Sequence, residues 1–205
     1  MSDGRITSIA ALEALYGEAN PPSRLKEIDH VNAEYAALIR ASPFCALASS
    51  GPGGLDCTPR GDAPGFVDCV DVKTLVMPDR RGNNRIDSLR NIVADPRVAL
   101  LFLIPGSSET LRVNGRAEIS VAPDLLARYV VNQKVPRSAL IVHVESVYFQ
   151  CAKAIVRADL WNAEKHVARG ALPSIGQMMT ATRAIGQDAA TYDAAYPERI
   201  KSTLY

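Results

Sequence analysis

The sequence predicts a mainly β domain with helical additions: a small β-barrel with short helices before, within and after it. Three observations point there. From Pro43 onward, short apolar or alternating runs recur, as strands do. Glycine- and proline-bearing turns separate them at spacings that suit hairpins. Helical periodicity is confined to a few isolated segments. Short hairpin-connected strands with two interposed helices close most simply into a barrel.

Taken in order, Ile6 to Tyr16 reads as a helix stopped at Gly17, with Pro21-Pro22 as a further break. A second helix is expected from Asp29 or His30 to Arg40, with Asp29 as its cap. Both helices are expected to be an N-terminal extension over residues 1–42. Residues 43–161 would form the barrel. Residues 43–48 give a first strand, Gly51 to Gly54 a turn, and Leu55 to Arg60 the returning strand. Residues 65–69 and 73–77 supply two more. Val98 to Ile104 is continuously apolar and reads as a central strand buried on both faces. Residues 109–119 alternate, and Gly115 marks a bulge. Pro123 to Gln133 reads as a helix, Ala139 to Phe149 as a long strand, and Ala152 to Val156 as one more strand. In the C-terminal extension, residues 162–205, a helix is expected over Ser174 to Ile185. The last segment, TYDAAYPERIKSTLY, would be a loose end or an arm on a partner subunit.

The 205 residues suit one domain with decorations or two small ones. With 47% apolar residues, 22% charged residues and net charge +1, the chain can fill a core and has no general attraction for nucleic acid or acidic membranes. No apolar run approaches the length of a membrane span, and the first twenty residues do not read as a signal peptide, so the cytoplasm is the expected location. The four cysteines form no CxxC pair and are expected to be free thiols buried in or near strands. His143, inside ALIVHVESVYF, is expected to pack within its strand. No metal site is indicated.

The stretch MPDRRGNNR carries the chemistry. A strand hands over to a helix there. Gly82 lets the backbone approach a ligand, and Asn83 or Asn84 can cap the helix. The free helix N–H groups and Arg80, Arg81 and Arg85 suit a phosphate. An ordinary capped surface turn would use the same residue types. A second polar knot, Cys57-Thr-Pro-Arg-Gly-Asp62, places Arg60 and Gly61 at a strand end, where Arg60 could address the same ligand. Thr110, Arg112 and Asn114 share one strand face. No nucleophile motif is present, so any difficult chemistry would belong to a cofactor.

The order CALASS, turn, TPRGD, TLVMPDRRGNNR, RIDSLRNIVADP, RVALLFLIPG, ETLRVNGRAEIS resembles the pyridoxamine 5′-phosphate oxidase superfamily, the FMN-binding split β-barrel, over Pro43 to Trp161. The resemblance implies an FMN-dependent oxidoreductase: a homodimer with flavin at the subunit interface, a small-molecule substrate and hydride transfer through the flavin. Arg60 and Gly61 are similar to the family's flavin-contacting strand end. Met77 and Pro78 match the positions beside the flavin ring. Gly82, Asn83, Asn84 and Arg85 look like the family's phosphate loop, in which Asn84 replaces one of the two usual basic residues and Arg80 or Arg81 could compensate. Thr110 stands where the family often has a glutamine, and Ser138 lies in the segment Pro136 to Ala139 that reaches flavin or substrate across the dimer. The ending PERIKSTLY lacks the family's basic, histidine-containing close, so pyridoxamine phosphate is not the expected substrate. The alternatives are a flavin-binding or sensing module without turnover, and the same barrel holding a deazaflavin or haem.

Overall fold

The computed structural model describes residues 4–168 and 170–205. Seven antiparallel strands form one sheet: β1 (Phe44–Gly51), β2 (Gly54–Gly61), β3 (Asp68–Cys69), β4 (Thr74–Pro78), β5 (Arg97–Leu103), β6 (Thr110–Ser120) and β7 (Ala139–Gln150), in the order β2-β1-β5-β6-β7-β4-β3. Both ends of the sheet feed one core. Cys45 and Leu47 of β1 share it with Leu75 and Met77 of β4, along with Leu100, Phe102, Leu111, Val113 and Val142. The sheet therefore curls, but β2 and β3 are not paired with each other, and the barrel stays split.

Among the described residues the α-helices are α1 (Ile9–Tyr16), α2 (Pro21–Leu25), α3 (Ala33–Ala41), α4 (Asp87–Ala94), α5 (Pro123–Ala127), α6 (Lys153–Ala158), α7 (Ile175–Ala181) and α8 (Ala189–Thr203). Pro21 and Pro22 open α2 instead of only breaking a helix, because proline is pre-set for a first turn. The cap of α3 is Asn32, whose Oδ1 accepts from Tyr35 N at 2.8 Å, not Asp29. Asp29 instead pairs with Lys73 at 2.7 Å. The apolar side chains Val31, Tyr35, Ala36 and Ile39 place α3 and its lead-in in the barrel core.

Several other expectations change. β5 is third in the sheet, and its buried residues Val98, Leu100 and Phe102 alternate with half-buried ones. A continuous apolar run conceals the strand period, so it could not show that one face is less covered. Pro123 opens α5, which stops at Ala127; Asn132 and Gln133 then take positive φ in a tight turn closed by the Val131–Lys134 bridge. Two consecutive left-handed residues make a hairpin turn, not a helix. Residues 153–158 are helical, with Ile155 alone buried, since β7 already pairs with β6 and β4 and offers no free edge. His143 is exposed on β7 and lies 3.4 Å from Glu118. Cys57 and Cys151 are exposed, whereas Cys45 is buried and its thiol is pushed up to about 12 by desolvation.

Gly115 sits at a break in the β6–β7 register. Gly51 lets α4 approach β1: a Cβ there would lie 2.1 Å from Asn91 Oδ1, and Asn91 Nδ2 donates to Ser49 Oγ at 3.2 Å. That approach fixes α4, and with it Ser88, beside the end of β2. At the C-terminus, α7 carries a capping box of Ser174 and Gln177 and packs on α8 through Gly176, whose N–H donates to Asp193. Trp161 donates its indole N–H to the Ser107 carbonyl and ties the segment after α6 to the β5–β6 turn. Among the described residues, no helix is long and apolar enough to cross a membrane.

Candidate functional site

Two clefts meet along the segment between β4 and α4. The first, about 580 Å³, is walled by the end of β2 (Asp56 to Gly61), by Pro78 and by Asp79 to Leu89. The second, about 460 Å³, uses Asp79 to Gly82, Asn84, Ile86 and Leu89 from the other side and adds Lys134 to Ser138 and Tyr205.

Arg60 organises the first cleft. Its side chain is 20% exposed, and Nη1 donates to Asp79 Oδ1 at 2.6 Å. Nη2 donates to Ser88 Oγ at 3.0 Å. Its Nε is the one buried side-chain polar atom without a partner among the described residues. A buried donor without an acceptor costs about 1–3 kcal/mol, which makes it an invitation to a ligand oxygen. Asp79 N in turn donates to the Ser138 carbonyl at 2.9 Å, tying the exit of β4 to the entry of β7.

Arg80 is committed elsewhere. Nε donates to Asp62 Oδ2 and Nη1 to the Tyr129 carbonyl, each at 2.6 Å. Asp62, its side chain 4% exposed, also accepts from Tyr205 Oη at 2.7 Å and from Ala63 N at 2.8 Å. Burial pushes its carboxyl up. The Tyr205 hydroxyl, the Ala63 N–H and Arg80 more than offset that and hold it below its ordinary 3.8. The resulting stability is fully present above pH of about 4 and is lost as pH falls through the lowered value. Urea midpoints from pH 5 down to pH 3 should fall more for the native chain than for Asp62→Asn, which carries no such proton linkage. Equal slopes would show that this carboxylate does not couple to folding.

The loop itself is strained. Asn84 and Ile86 have φ of 60° and 52°. Positive φ is unusual for a β-branched residue and costs of order 1–3 kcal/mol, and such strain gathers at ligand sites. Ile86 occupies the cap position of α4 without a side-chain cap. The expected asparagine cap is absent: Asn83 Oδ1 accepts from Arg85 N at 3.1 Å, and Asn84 Oδ1 accepts from Arg137 Nη1 at 3.1 Å. Arg85 pairs with Asp87 at 2.8 Å with 76% of its side chain exposed. Arg81 has no hydrogen-bond or ionic partner among the described residues.

With that geometry in view, comparison is informative. The model of the pyridoxamine 5′-phosphate oxidase family (PNPOx_N) matches residues 31–151, more than half of the chain. The chain belongs to this family. Its superfamily is one of flavin-binding split barrels, whose members are commonly dimers. No curated protein matches. Among solved structures, HupZ of Group A Streptococcus is similar at 19% identity, covering 57% of this chain and 91% of that one, with a TM-score of 0.47. A candidate pyridoxamine 5′-phosphate oxidase of Lactobacillus delbrueckii is similar at 18% identity over 59% and 95%, TM-score 0.47. A second such candidate, from Listeria innocua, shows 17% identity over 57% and 94%, TM-score 0.42.

Within this family member, Arg60, Gly61, Pro78, Arg81, Asn83, Asn84 and Arg85 all line the first cleft. Ser138 lines the second and is buried. Met77 lines neither cleft, because its side chain is buried in the core. Thr110 is not brought to either cleft. It neighbours Leu111, which stands in register with Arg60 through Phe102 and Cys45, three strand spacings or about 14 Å across the sheet. Asp79, Ser88, Lys134 and Tyr205 are not singled out by the sequence, and Arg137 enters only within the segment Pro136 to Ala139. Asp79 and Ser88 flank the quoted loop and could have been inferred as partners for Arg60. Nothing local marks Tyr205.

Proposed function

We propose that the first cleft binds FMN and that the protein is an FMN-dependent oxidoreductase of the cytoplasm, acting on a small molecule other than pyridoxamine phosphate. The observation that carries this is a cleft of about 580 Å³ lined by Arg60, whose buried Nε has no partner among the described residues, with Arg81 and Arg85 on its rim, in a chain of a flavin-binding superfamily. The residues fit the cofactor. Arg81 is unpaired among the described residues, and the exposed Arg85–Asp87 pair is weak enough to exchange for a phosphate. Arg60, Asn83 and Gly61 would orient the remainder, with Pro78 closing one wall. When bound, FMN supplies the hydride-accepting chemistry that no side chain here offers. The protein would act as a homodimer, and Thr110, which lines neither cleft of its own chain, would join the site from the second subunit.

The test begins with an absorption spectrum of protein purified without added cofactor, then heat release and chromatography of the ligand. FMN in the supernatant supports the proposal. A colourless protein that also refuses added FMN refutes it. Arg81→Ala and Arg85→Ala should each weaken FMN by about 10- to 100-fold, the range of one charge-assisted hydrogen bond, with unchanged folding. Full flavin retention in both would remove the phosphate assignment. Steady turnover of a donor by the loaded protein distinguishes an oxidoreductase from a module that merely carries flavin.

A further inference from the structure

The C-terminal helices α7 and α8 lie beyond residues 31–151, the span that carries the family likeness. They pack chiefly on each other. α8 buries none of its side chains, and Gly176 is the one buried residue of α7. Gly176 makes the pair a rigid unit. A Cβ there would lie 2.3 Å from the Ala189 carbonyl oxygen, and its N–H donates to Asp193 Oδ1 at 2.7 Å. Near its start, this hairpin is tied to the barrel by the Trp161 bond to the Ser107 carbonyl. At its far end Tyr205 touches three separate elements. Its hydroxyl donates to Asp62 Oδ1, just after β2, at 2.7 Å. Its ring centroid lies 5.9 Å from Arg80 Cζ, just after β4. Its main-chain oxygen accepts from Lys134 Nζ, ahead of β7, at 2.6 Å.

These contacts bear on the walls of the first cleft. Asp62 follows Arg60 and Gly61, which line it, and Arg80 lines both clefts. Lys134 and Tyr205 face the β4–α4 loop across the second cleft. Charge-assisted bonds at one end, on a unit that buries little of its own surface, make a part that opens as a whole when those bonds break. We propose that α7 and α8 form a clamp, latched by Tyr205, whose closure holds the β2 exit against the β4–α4 loop and slows exchange of the ligand in the first cleft. Release removes one wall of the second cleft and takes a partner from Asp62, from Arg80 and from Lys134. The loop then gains freedom, because left-handed residues such as Asn84 and Ile86 persist only where their surroundings hold them. The effect on ligand exchange rests on FMN occupying the first cleft; the latch itself does not.

Hydrogen exchange of the full-length chain, read by mass spectrometry, tests the latch without cofactor. Helices of this length fray in water once detached. In Tyr205→Ala, amides of α7 and α8 should exchange about tenfold faster, the equivalent of one charge-assisted hydrogen bond. Those of residues 79–86 should quicken with them by about threefold or more. β5 and β6 should keep their native rates. Lys134→Met, which removes one bond and keeps the tyrosine, should give the same pattern more weakly. Unchanged exchange in α7 and α8 in both variants overturns the proposal, and so does faster exchange confined to those helices. Faster exchange in β5 and β6 overturns it too, because Tyr205 would then support the whole fold. Protein loaded with FMN gives the second readout: on dilution, flavin should leave Tyr205→Ala about tenfold faster. Equal release from variant and native chain overturns the clamp. A chain that takes up no FMN but shows the coupled exchange of hairpin and loop refutes the cofactor reading and leaves the latch standing.

Discussion

Gly115→Ala is expected to cost about 4 kcal/mol or more and to leave little folded protein at physiological temperature. A Cβ at this position would lie 2.1 Å from the His143 carbonyl oxygen and 3.0 Å from its carbonyl carbon. Both are backbone atoms of β7, the strand that pairs with β6 along its whole length and also with β4. Relief would require moving the middle of the sheet, where Val113, Val142 and Val144 are buried in the core. The bulge opposite Asn114 and Gly115 depends on this close approach, because the extra residue lies on β7, where Glu145 is skipped between Ser146 and Val144 and the strand bends towards Gly115. Gly53→Ala is the control: nothing lies within 4 Å of its Cβ, and its φ is not positive. It should stay within about 0.5 kcal/mol of the native chain. Urea unfolding of both variants measures the difference. A Gly115→Ala loss below about 1 kcal/mol would mean that the bulge tolerates a side chain and that the local geometry is wrong.

Arg60→Ala should lose flavin and stability together. It leaves Asp79, 19% exposed, without its cation and Ser88, 5% exposed, without its donor. Removing one member of a largely buried pair costs about 3–5 kcal/mol, less here because one-fifth of each side chain still reaches water. Arg60→Lys separates the two effects. A lysine can still neutralise Asp79, so stability should fall by only about 1 kcal/mol, but it cannot also bond Ser88 and present the third donor now held by Nε. Flavin affinity should therefore drop in Arg60→Lys nearly as far as in Arg60→Ala. If Arg60→Lys keeps native affinity, Arg60 is a structural brace between β2 and the loop, and the cofactor must be held elsewhere.

Much of this site was legible because its parts are local. MPDRRGNNR lies on one loop, and TPRGD ends one strand. Both carry residue types whose uses are few. The alternation in residues 109–119 and the glycine within it gave β6 and its bulge. What was illegible depended on which side chains already had partners. Arg80 and Arg81 are neighbours of the same type, yet Arg80 is held by Asp62 and the Tyr129 carbonyl while Arg81 is free of any partner among the described residues. No local pattern separates them. The helix at residues 153–158 was missed for a related reason: Ile155 and Val156 favour strands, but β7, the strand they follow, is already paired on both sides.

The sequence by itself determined the mainly β class, the strand-to-helix loop with its arginines, and membership in a family of split barrels. These follow from period, turn chemistry and motif order, which act over a few residues. Only the tertiary structure decided that Tyr205 reaches Asp62 across 143 positions, that Thr110 lines neither cleft, and that a second cationic cleft opens behind the first. Those outcomes depend on how a curled sheet places its ends, and on which charges have already neutralised one another. Both are properties of packing in three dimensions, on which local sequence preferences are silent.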